Sequence, residues 1–399
     1  MRCHAIVIGA GLAGSSAAER LAARGWTIDL IDAAQAPGQG ASGNLAGVLR
    51  PLPSVDDNRL ARLTRAGFAY ACEHLRALTA AGLPLRWGQT GVLHLARDDQ
   101  HAATQQRVIE LQQPPGSDLR WVDRDEASQL AGWPVAIGGW WFPRGGWVDP
   151  ASLCRANLAR HAMAVRTHYG CAVAHIERQA DLWHACDRAG QQIAEAPVLI
   201  LANAAAARCF APAAHLPLRA ARGQVSHLPA ASASPPTIVV CRLGYVTPAI
   251  DGLRCVGATF AIDDDEAAQR VADHAENLAK LDFILPGFAR DLSPAELNGR
   301  VGCRPLSPDR LPMIGAIADA AIIDPDRPRR PLAEMPRLPG LYVINGFGAR
   351  GIVWSALAGE LLAGLITGAP LALADDLVGA VDPGRFLLRG RNRRVRSHS

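Results

Sequence analysis

The sequence has 399 residues, of which 49% are hydrophobic and 20% are charged. This is ordinary globular usage, which excludes collagen-like and largely disordered chains, and the length predicts two or three domains rather than one core. No run approaches the ~18–20 uninterrupted apolar residues of a membrane span, and the amino terminus enters a strand pattern without a signal peptide. We therefore expect a soluble, cytoplasmic protein that does not bind a membrane.

Residue counts also argue against several kinds of chemistry. The nine cysteines are scattered without a CxxC pair, and the twelve histidines contain no HExxH or HxH. An odd number of cysteines in a cytoplasmic-looking chain indicates free thiols, so neither a disulfide framework nor a metal centre is expected. Lys280 is the only lysine, which argues against pyridoxal-phosphate chemistry and a lysine nucleophile.

The positive charge is concentrated at the carboxyl terminus. The whole chain has a net charge of +4, and residues 385–399 contain six arginines and no acid, which leaves −2 for residues 1–384. Such a basic tail can bind a polyanion through phosphate contacts and counterion release. The alternative is a frayed, solvated terminus, which is what an isolated run of charges more commonly forms.

The first 32 residues have the pattern of a dinucleotide-binding βαβ unit. An apolar strand at 4–8 is followed by the GxGxxG sequence at 9–14, a helix at 15–24 and a second strand at 27–31 that ends in Asp32. An acid in this position accepts hydrogen bonds from the ribose hydroxyls and would repel a 2′-phosphate. The pattern therefore predicts FAD or NAD rather than NADP.

Each glycine of this motif has a separate physical task. Gly9 permits the tight turn, Gly11 lets a pyrophosphate approach the backbone, and Gly14 lets the helix pack closely on the strand. The amino terminus of the helix, with Leu12 and Ala13, offers free N–H groups and a partial positive charge to the phosphates. All five residues are candidate cofactor contacts.

A loop of small residues at 38–47 follows the second strand. It is too long for a simple turn, and in this position of a nucleotide-binding fold it lets the backbone approach a flat ligand; a merely flexible loop is the alternative. Its candidate cofactor contacts are Ser42, Gly43, Asn44, Ala46 and Gly47.

The middle of the chain predicts a second domain and the core of the first. A long amphipathic helix is predicted over 57–81, and short β segments with six tryptophans over 83–147. Core packing is the usual role of tryptophan, and a wall that stacks a flat substrate is the alternative. Residues 198–204 form an apolar strand with a small-residue end, which suits a central place in a parallel sheet. Asn203, at that end, is a candidate cofactor contact.

Two late segments carry a second set of signals. Residues 302–315 read GCRPLSPDRLPMIG, and residues 340–351 read GLYVINGFGARG and lead into a predicted helix over 352–366. The second segment repeats the opening arrangement of apolar strand, glycine-rich turn and helix amino terminus, which again favours an electron-rich group. One nucleotide-binding domain built from discontinuous pieces of chain is therefore expected.

Together these motifs resemble the D-amino-acid-oxidase-type family of FAD enzymes over nearly the whole chain. The most specific are RPxSPDxLPxIG and the strand–glycine–helix turn that follows it. The sequence NGFGARG and the near-terminal RFLLR at 385–389 are similar to the FAD-dependent half of bifunctional enzymes that modify the tRNA wobble uridine. The resemblance implies FAD as cofactor and the anticodon region of tRNA as substrate. The methyltransferase half that precedes this region in those enzymes would be a separate or removed domain.

The resemblance also implies an architecture. Residues 1–82, 148–218 and 300–384 would form an α/β FAD-binding domain, Rossmann-like and of the glutathione-reductase type. Residues 83–147 and 219–299 would form an α+β substrate domain with a mixed or antiparallel sheet. The late glycine turn would supply further cofactor contacts, from Gly346, Phe347, Gly348, Ala349, Arg350 and Gly351. Where the family usually has a glycine after the central strand, this chain has Ala202-Asn203-Ala204.

In the wobble-uridine enzymes, the FAD half removes the carboxymethyl group from 5-carboxymethylaminomethyl-(2-thio)uridine. A hydride passes to the flavin, and the imine then hydrolyses to glyoxylate and a primary amine, so the protein must chiefly orient the C–H bond and hold the carboxylate. Related amine oxidases place a carboxylate-binding arginine in the RP motif, which here is Arg304, and Tyr245 resembles the tyrosine that assists it. The alternatives are a structural ion pair for Arg304 and a core position for Tyr245.

Arg350 lies in the glycine turn that is expected to face the pyrimidine edge of the flavin, where a positive charge would stabilise the anionic reduced ring. It could instead cap a phosphate or pair with a surface acid. Cys303 is offset by one residue from the cysteine that links the flavin covalently in some relatives, so noncovalent FAD is expected.

Two other functions remain open at this point. An oxidase or dehydrogenase of a free small amino acid, such as glycine, sarcosine or a D-amino acid, would use the same carboxylate clamp without a basic surface. A tRNA-binding protein that retains FAD structurally would oxidise no amine. In the sequence, only the short motifs and the basic tail distinguish these alternatives from a tRNA-modifying oxidase.

Overall fold

The computed structural model describes residues 3–231, 234–322 and 331–389. In chain order, the strands are β1 (His4–Ile8), β2 (Thr27–Asp32), β3 (Gly47–Leu49), β4 (Trp87–Gly88), β5 (Val92–Leu95), β6 (Arg120–Val122), β7 (Gly139–Phe142), β8 (Gly146–Val148), β9 (Val165–Tyr169), β10 (His175–Gln179), β11 (Leu182–Cys186), β12 (Gln192–Ala196), β13 (Val198–Leu201), β14 (Arg219–Pro229), β15 (Val239–Cys241), β16 (Tyr245–Val246), β17 (Leu253–Gly257), β18 (Ala261–Ile262), β19 (Asn298–Leu306), β20 (Met313–Ala318) and β21 (Arg337–Asn345). The helices are α1 (Leu12–Ala22), α2 (Arg59–Ala80), α3 (Asp99–Gln112), α4 (Arg124–Ala131), α5 (Pro150–Arg160), α6 (Val271–Ile284), α7 (Gly351–Thr367), α8 (Asp375–Val381) and α9 (Arg385–Arg389).

A six-stranded sheet forms the centre of the nucleotide-binding half. Its order is β20-β21-β13-β1-β2-β9, with β20 antiparallel and the other five strands parallel to one another. The predicted central position of the apolar strand is confirmed, because β13 lies between β1 and β21. The strands come from separated stretches of the chain, which confirms the predicted assembly from discontinuous segments.

Helices and a small β meander bury the two faces of this sheet. On one face, α1 and α7 pack so closely that a Cβ atom at Gly359 would lie 2.4 Å from Ser16 Oγ. On the other face, the antiparallel meander β10-β11-β12 buries Trp183 against the apolar side chains of β1 and β13. The sheet is therefore covered on both sides, as a parallel sheet requires.

A larger sheet forms the second half of the molecule. Its order is β18-β14-β17-β16-β15-β5-β7-β6, and β19 pairs with β14 along its whole length. The β15–β5 pair is parallel and the others are antiparallel, so the predicted mixed sheet is confirmed. The predicted domain boundary at residue 300 falls inside β19, because this strand continues the larger sheet as far as Leu306.

Helix boundaries follow from local capping. The predicted helix over 57–81 is present as α2, which begins after Asn58 because the side chain of that residue accepts a hydrogen bond from Ala61 N at 3.1 Å. The first helix begins three residues earlier than predicted, at Leu12, directly behind the Gly11 N-cap. The glycine motif therefore places the helix amino terminus at the edge of the sheet.

One segment in the described part of the chain, Gly348–Thr367, is long and apolar enough to cross a bilayer, with a mean hydropathy of 1.4. Its most apolar stretch is 67% buried inside the protein, where α7 packs against α1 and α2. The apolar side chains of this helix are thus accounted for by the core.

A buried histidine on α2 predicts that the folded protein is less stable in acid. His74 on α2 accepts a hydrogen bond at Nδ1 from Arg20 Nη2 at 2.6 Å, and its Nε2–H donates to Asn157 Oδ1 at 2.8 Å. Burial, and then the Arg20 charge, lowers the pKa of His74 to about 4. In the unfolded chain, His74 has its ordinary pKa of about 6.5 and becomes protonated below that pH, whereas in the folded protein it stays neutral down to about pH 4. The free energy of unfolding should therefore fall by about 2 kcal/mol between pH 7.5 and pH 5.

Urea denaturation of His74→Gln at both pH values tests this. The variant should lose that part of the pH dependence, whereas the exposed control His175→Gln should retain it. An equal pH dependence in wild type and His74→Gln would show that the proton uptake occurs elsewhere.

Candidate active site

A cavity of about 1010 Å³ lies between the two sheets, at the upper end of the about 300–1,000 Å³ typical of small-molecule sites. Its walls come from the loops after β1, β2, β13 and β21 on one side and from β15, β16, β17 and β19 on the other. Within the described ranges no tryptophan lines it, so the predicted cluster of tryptophans does not form a stacking wall.

One end of the cavity has the geometry of a nucleotide site. Gly9 has φ +107°, and a Cβ atom there would lie 2.6 Å from the carbonyl oxygen of Ala202. Asp32 accepts hydrogen bonds from Ala10 N at 2.6 Å and from Ala34 N at 2.8 Å. Each carboxylate oxygen keeps an acceptor position for a ribose hydroxyl.

Two helix amino termini border the same cavity, those of α1 behind Gly11 and of α7 behind Arg350. Neither N-cap residue caps its helix with its own side chain, and neither first turn contains an acid. Ser42 in the small-residue loop accepts a hydrogen bond from Leu12 N at 3.0 Å, which holds the loop against the first of these termini. Both termini therefore present positive partial charge to the cavity.

A buried polar atom without a partner follows β13, the strand that lies between β1 and β21 and so between the strands that lead into these two helices. The Oδ1 atom of Asn203 is buried without a hydrogen-bond partner, and Asn203 lines the cavity. Beside it, Asn345 Nδ2 donates to the carbonyl oxygen of Ala204 at 2.8 Å, which fixes the small-residue end of β13. The glycine turn at Gly9, the two helix amino termini, the Asn203 acceptor and the cavity volume together fit a flavin dinucleotide.

Most of the predicted cofactor contacts are brought together here. Those that line the cavity are Gly9, Gly11, Leu12, Ala13, Asp32, Ser42, Asn44, Gly47, Asn203, Gly346, Phe347, Gly348, Ala349, Arg350 and Gly351.

Three predicted contacts lie behind the cavity wall. Gly14 packs α1 on β1, since a Cβ atom there would lie 1.7 Å from the carbonyl oxygen of Gly9. Gly43 packs under the guanidinium of Arg300, and Ala46 is buried with its carbonyl facing Tyr245. These residues support the site through packing.

The larger sheet presents the other wall, and its register explains which side chains face the cavity. Cys241 pairs with His94 on one side and with Tyr245 on the other, and Tyr245 in turn pairs with Gly257. Directly paired residues lie on the same face of a sheet. All four residues line the cavity.

Tyr245 is held in place by two contacts of its hydroxyl group. Its Oη lies 3.4 Å from the carbonyl oxygen of Ala46 and 3.4 Å from Cys255 Sγ. Burial, and then the neighbouring Cys255, raises the pKa of Tyr245 well above 10. The phenol therefore stays neutral and can donate a hydrogen bond.

Arg304 also faces the cavity, with no acid beside it. Its Nη1 makes one long contact, 3.4 Å, with the carbonyl oxygen of Thr259, and no carboxylate among the described residues pairs with it. Burial lowers the pKa of Arg304, but a guanidinium remains charged at neutral pH. No structural ion pair therefore forms within the described residues, and apart from the contact with Thr259 the N–H donors of the guanidinium are available to an anion.

Gly223 makes room for this side chain, which sequence reasoning missed. A Cβ atom at Gly223 would lie 2.2 Å from Arg304 Nη1. The sequence around β14 offered no signal for this, because the close approach depends on the pairing of β14 with β19.

Arg350 lies in the same cavity, and so does Arg50, which sequence reasoning also missed. Burial, and then the charges of Arg50 and Arg310, lowers the pKa of Arg350 to about 10. The expected alternative of a surface acid beside Arg350 is not present among the described residues. Asp32, at the nucleotide end, is the only acid among the described residues that line the cavity.

Two further sequence expectations concern cysteines and metals. Cys303 is adjacent to Arg304 on β19 and is not part of the cavity wall, since successive side chains of a strand point to opposite faces. Among the described residues, one group of side chains has metal-ligand spacing: His175, Glu177 and Cys186 on the outer meander. It lies outside the cavity.

The solvated tail predicted over 385–399 does not begin at residue 385. Arg385 is only 3% exposed, and its guanidinium pairs with Asp309 at 3.0 Å and donates to the carbonyl oxygen of Leu311. Asp309 belongs to the RPxSPDxLP turn, so the start of the predicted tail is part of the folded core. Residues 390–399 lie outside the described residues.

The cavity and its surroundings define a class of protein: a flavin-dependent oxidoreductase with a dinucleotide-binding half and a sheet-bearing substrate half. The chain belongs to the FAD dependent oxidoreductase family (DAO), whose family model matches residues 4–365. The expected family, fold class and cofactor are thereby confirmed.

Among its relatives, the chain is 62% identical over 386 residues to the tRNA 5-methylaminomethyl-2-thiouridine biosynthesis bifunctional protein MnmC of Aromatoleum aromaticum. It is 55% identical over 387 residues to the protein of the same name from Azoarcus sp.. Each match covers 97% of this chain and 60% of the relative, so the chain spans about three fifths of their length.

Solved structures of this fold include the glycine oxidase of Geobacillus kaustophilus. It has a TM-score of 0.74 at 20% sequence identity, and the match covers 95% of this chain and 97% of that chain. At this identity the likeness concerns the fold.

Proposed function

We propose that this protein oxidatively removes the carboxymethyl group from 5-carboxymethylaminomethyl-(2-thio)uridine at the wobble position of tRNA. The single observation that carries the proposal is the free guanidinium of Arg304 in the flavin cavity, which suits the carboxylate of a glycine-like amine. The names of the relatives support tRNA as the molecule that bears this amine.

The proposed reaction needs little acid–base chemistry from the protein. When bound, FAD accepts a hydride from the carbon between the amine nitrogen and the carboxylate. The nitrogen lone pair forms the C=N bond of an imine as the C–H bond breaks, and the nitrogen-bound proton leaves to solvent. Water then adds to the imine and splits it into glyoxylate and the primary aminomethyl group, which remains on the uridine.

The residues of the cavity supply position and charge. Arg304 binds both carboxylate oxygens through parallel N–H donors, which is the geometry a guanidinium fork favours. The neutral Tyr245 turns its one O–H from the carbonyl oxygen of Ala46 to the same carboxylate and donates a hydrogen bond there, while Cys255 Sγ remains the second contact of the phenol oxygen. Arg350, at the amino terminus of α7, provides positive charge where negative charge develops during the reaction.

Purified holoprotein and tRNA carrying 5-carboxymethylaminomethyl groups test the proposal. After incubation in air, nucleosides from digested tRNA should contain the 5-aminomethyl base, with one glyoxylate formed for each base converted. Glycine, sarcosine and D-alanine serve as comparison substrates. Unchanged tRNA together with efficient turnover of a free amino acid would replace the proposal with an amino acid oxidase; unchanged flavin with every amine would indicate a structural flavin.

The carboxyl-terminal arginines lead to a separate prediction. Deleting residues 390–399 removes four arginines. If they contact phosphates, tRNA binding should weaken, and the slope of log K against log salt should become shallower by up to about 3. Replacing the same four arginines by lysine should keep the affinity, and flavin content should not change. Equal affinity of the truncated and full-length chains would mean that the terminus is simply solvated.

We also propose a cytoplasmic location for the protein, because tRNA, the proposed substrate, is found in that compartment. The attachment of the carboxymethylaminomethyl group to the uridine, and any methylation of the aminomethyl product, would be separate activities.

A further inference from the structure

The described lining of the cavity includes a cation that the proposed reaction does not use. Arg304 binds the carboxylate and Arg350 stabilises the developing negative charge, whereas Arg50 lines the same space without a task. Neither Arg50 nor Arg350 forms an ion pair with a described residue, and both are half-buried. Like charges confined together at low solvent exposure are costly unless an anion is shared between them.

Arg50 is held in a defined position. Its Nη1 donates to the carbonyl oxygen of Pro51 at 3.0 Å, and its guanidinium lies 5.7 Å from the ring centroid of Phe142. Cys241 lies on the same cavity wall, where burial raises the pKa of its thiol and the charge of Arg50 opposes that rise. None of these partners neutralises the charge, so the remaining N–H donors are available to the cavity.

The sheet register separates Arg50 from Arg304. All four residues involved line the cavity, and Cys241 pairs directly with Tyr245 between β15 and β16. Burial raises the pKa of both groups, and the charge of Arg50 opposes this rise at Cys241, as that of Arg304 does at Tyr245. Tyr245 therefore stands between two cationic positions. A ligand that fills both must carry two separated anionic groups, which glycine and sarcosine do not.

We infer that Arg50 forms a second anion subsite that binds the phosphate group of the modified nucleotide, while Arg304 binds its carboxylate and Arg350 keeps its role in the reaction. This inference rests on the proposed function, since it assigns the second anion to the substrate named there. A uridine nucleotide with a carboxymethylaminomethyl group carries a phosphate on the ribose and a carboxylate on the base, on opposite sides of the reacting carbon. The subsite would make the enzyme selective for nucleotides over free amino acids.

The test compares two small substrates that differ only in the phosphate: 5-carboxymethylaminomethyluridine and its 5′-monophosphate. For wild type, kcat/KM should be higher for the monophosphate, because charged hydrogen bonds to a phosphate are formed only there. In Arg50→Gln this preference should shrink by about 10- to 100-fold, and Arg50→Lys should restore part of it. Arg107→Gln, which alters an exposed arginine on α3 paired with Glu110, should keep the wild-type preference.

Binding of uridine and uridine 5′-monophosphate, followed through the absorbance of the bound flavin, gives a readout without turnover. The monophosphate should bind more tightly to wild type, and Arg50→Gln should lose that difference while it keeps its flavin content. If wild type leaves the modified tRNA unchanged, the proposed function fails, and the binding comparison still decides whether the anion subsite exists. An equal loss for both compounds, an unchanged preference, or loss of flavin in Arg50→Gln would overturn the inference.

Discussion

Replacing Arg304 by alanine should lower kcat/KM for the modified tRNA by roughly 30- to 4,000-fold, the equivalent of about 2–5 kcal/mol for truncating one partner of a buried charge pair. Among the described residues of β19 that line the cavity, Arg304 is the only one with a positive charge. Its loss leaves a desolvated carboxylate unpaired and the C–H bond unoriented. Steady-state kinetics with modified tRNA, together with flavin content, measure the effect.

Two further variants make this result specific. Arg304→Lys should recover only part of the activity, because an ammonium group is a point charge and lacks the planar fork. Arg219→Ala, on the neighbouring strand β14, removes an exposed arginine paired with Asp263 and should leave kinetics unchanged. If Arg304→Ala kept wild-type kcat/KM with full flavin content, the carboxylate would have to bind elsewhere.

The second large effect is expected at Gly14. A Cβ atom there would lie 1.7 Å from the carbonyl oxygen of Gly9, so Gly14→Ala forces α1 away from β1. Overpacking of this kind costs about 1–3 kcal/mol, and the displaced helix amino terminus should reduce FAD affinity by roughly 5- to 140-fold. Fluorescence titration of apoprotein with FAD measures this affinity, and circular dichroism monitors the fold.

Gly116→Ala is the matched control, because a Cβ atom at Gly116 would meet nothing within 4 Å. It should bind FAD as wild type does. Should Gly14→Ala unfold outright, Gly9→Ala offers a second test, since Gly9 has φ +107° and lies at the cavity itself. Wild-type FAD affinity in both folded variants would contradict a nucleotide site at this motif.

Local patterns were sufficient to predict the nucleotide-binding half. The glycine motif, the strand ending in Asp32 and the apolar strand β13 each depend on residues close together in sequence, and the structure has all three. The same is true of the turn before α7, where a strand, two glycines and a helix follow one another directly.

Long-range pairing accounts for what the sequence did not reveal. Arg304 faces the cavity because β19 pairs with β14. The paired residues Ala221 and Arg304 are 83 residues apart in the sequence, with a helix between them, and Gly223 makes room for the Arg304 side chain only in that register. Arg50 follows an unremarkable strand and becomes part of the site only when the two sheets face each other. Arg385 looked like part of a solvated tail, yet tertiary structure buries it against Asp309.

Anaerobic mixing of the holoprotein with one equivalent of tRNA that carries the carboxymethylaminomethyl group tests most directly whether the flavin oxidises this group. The visible absorbance of the flavin should bleach, with one glyoxylate released for each flavin reduced, and unmodified tRNA should have no such effect. A flavin that stays oxidised with modified tRNA, although light or dithionite reduces it readily, would exclude oxidation of this tRNA by the protein.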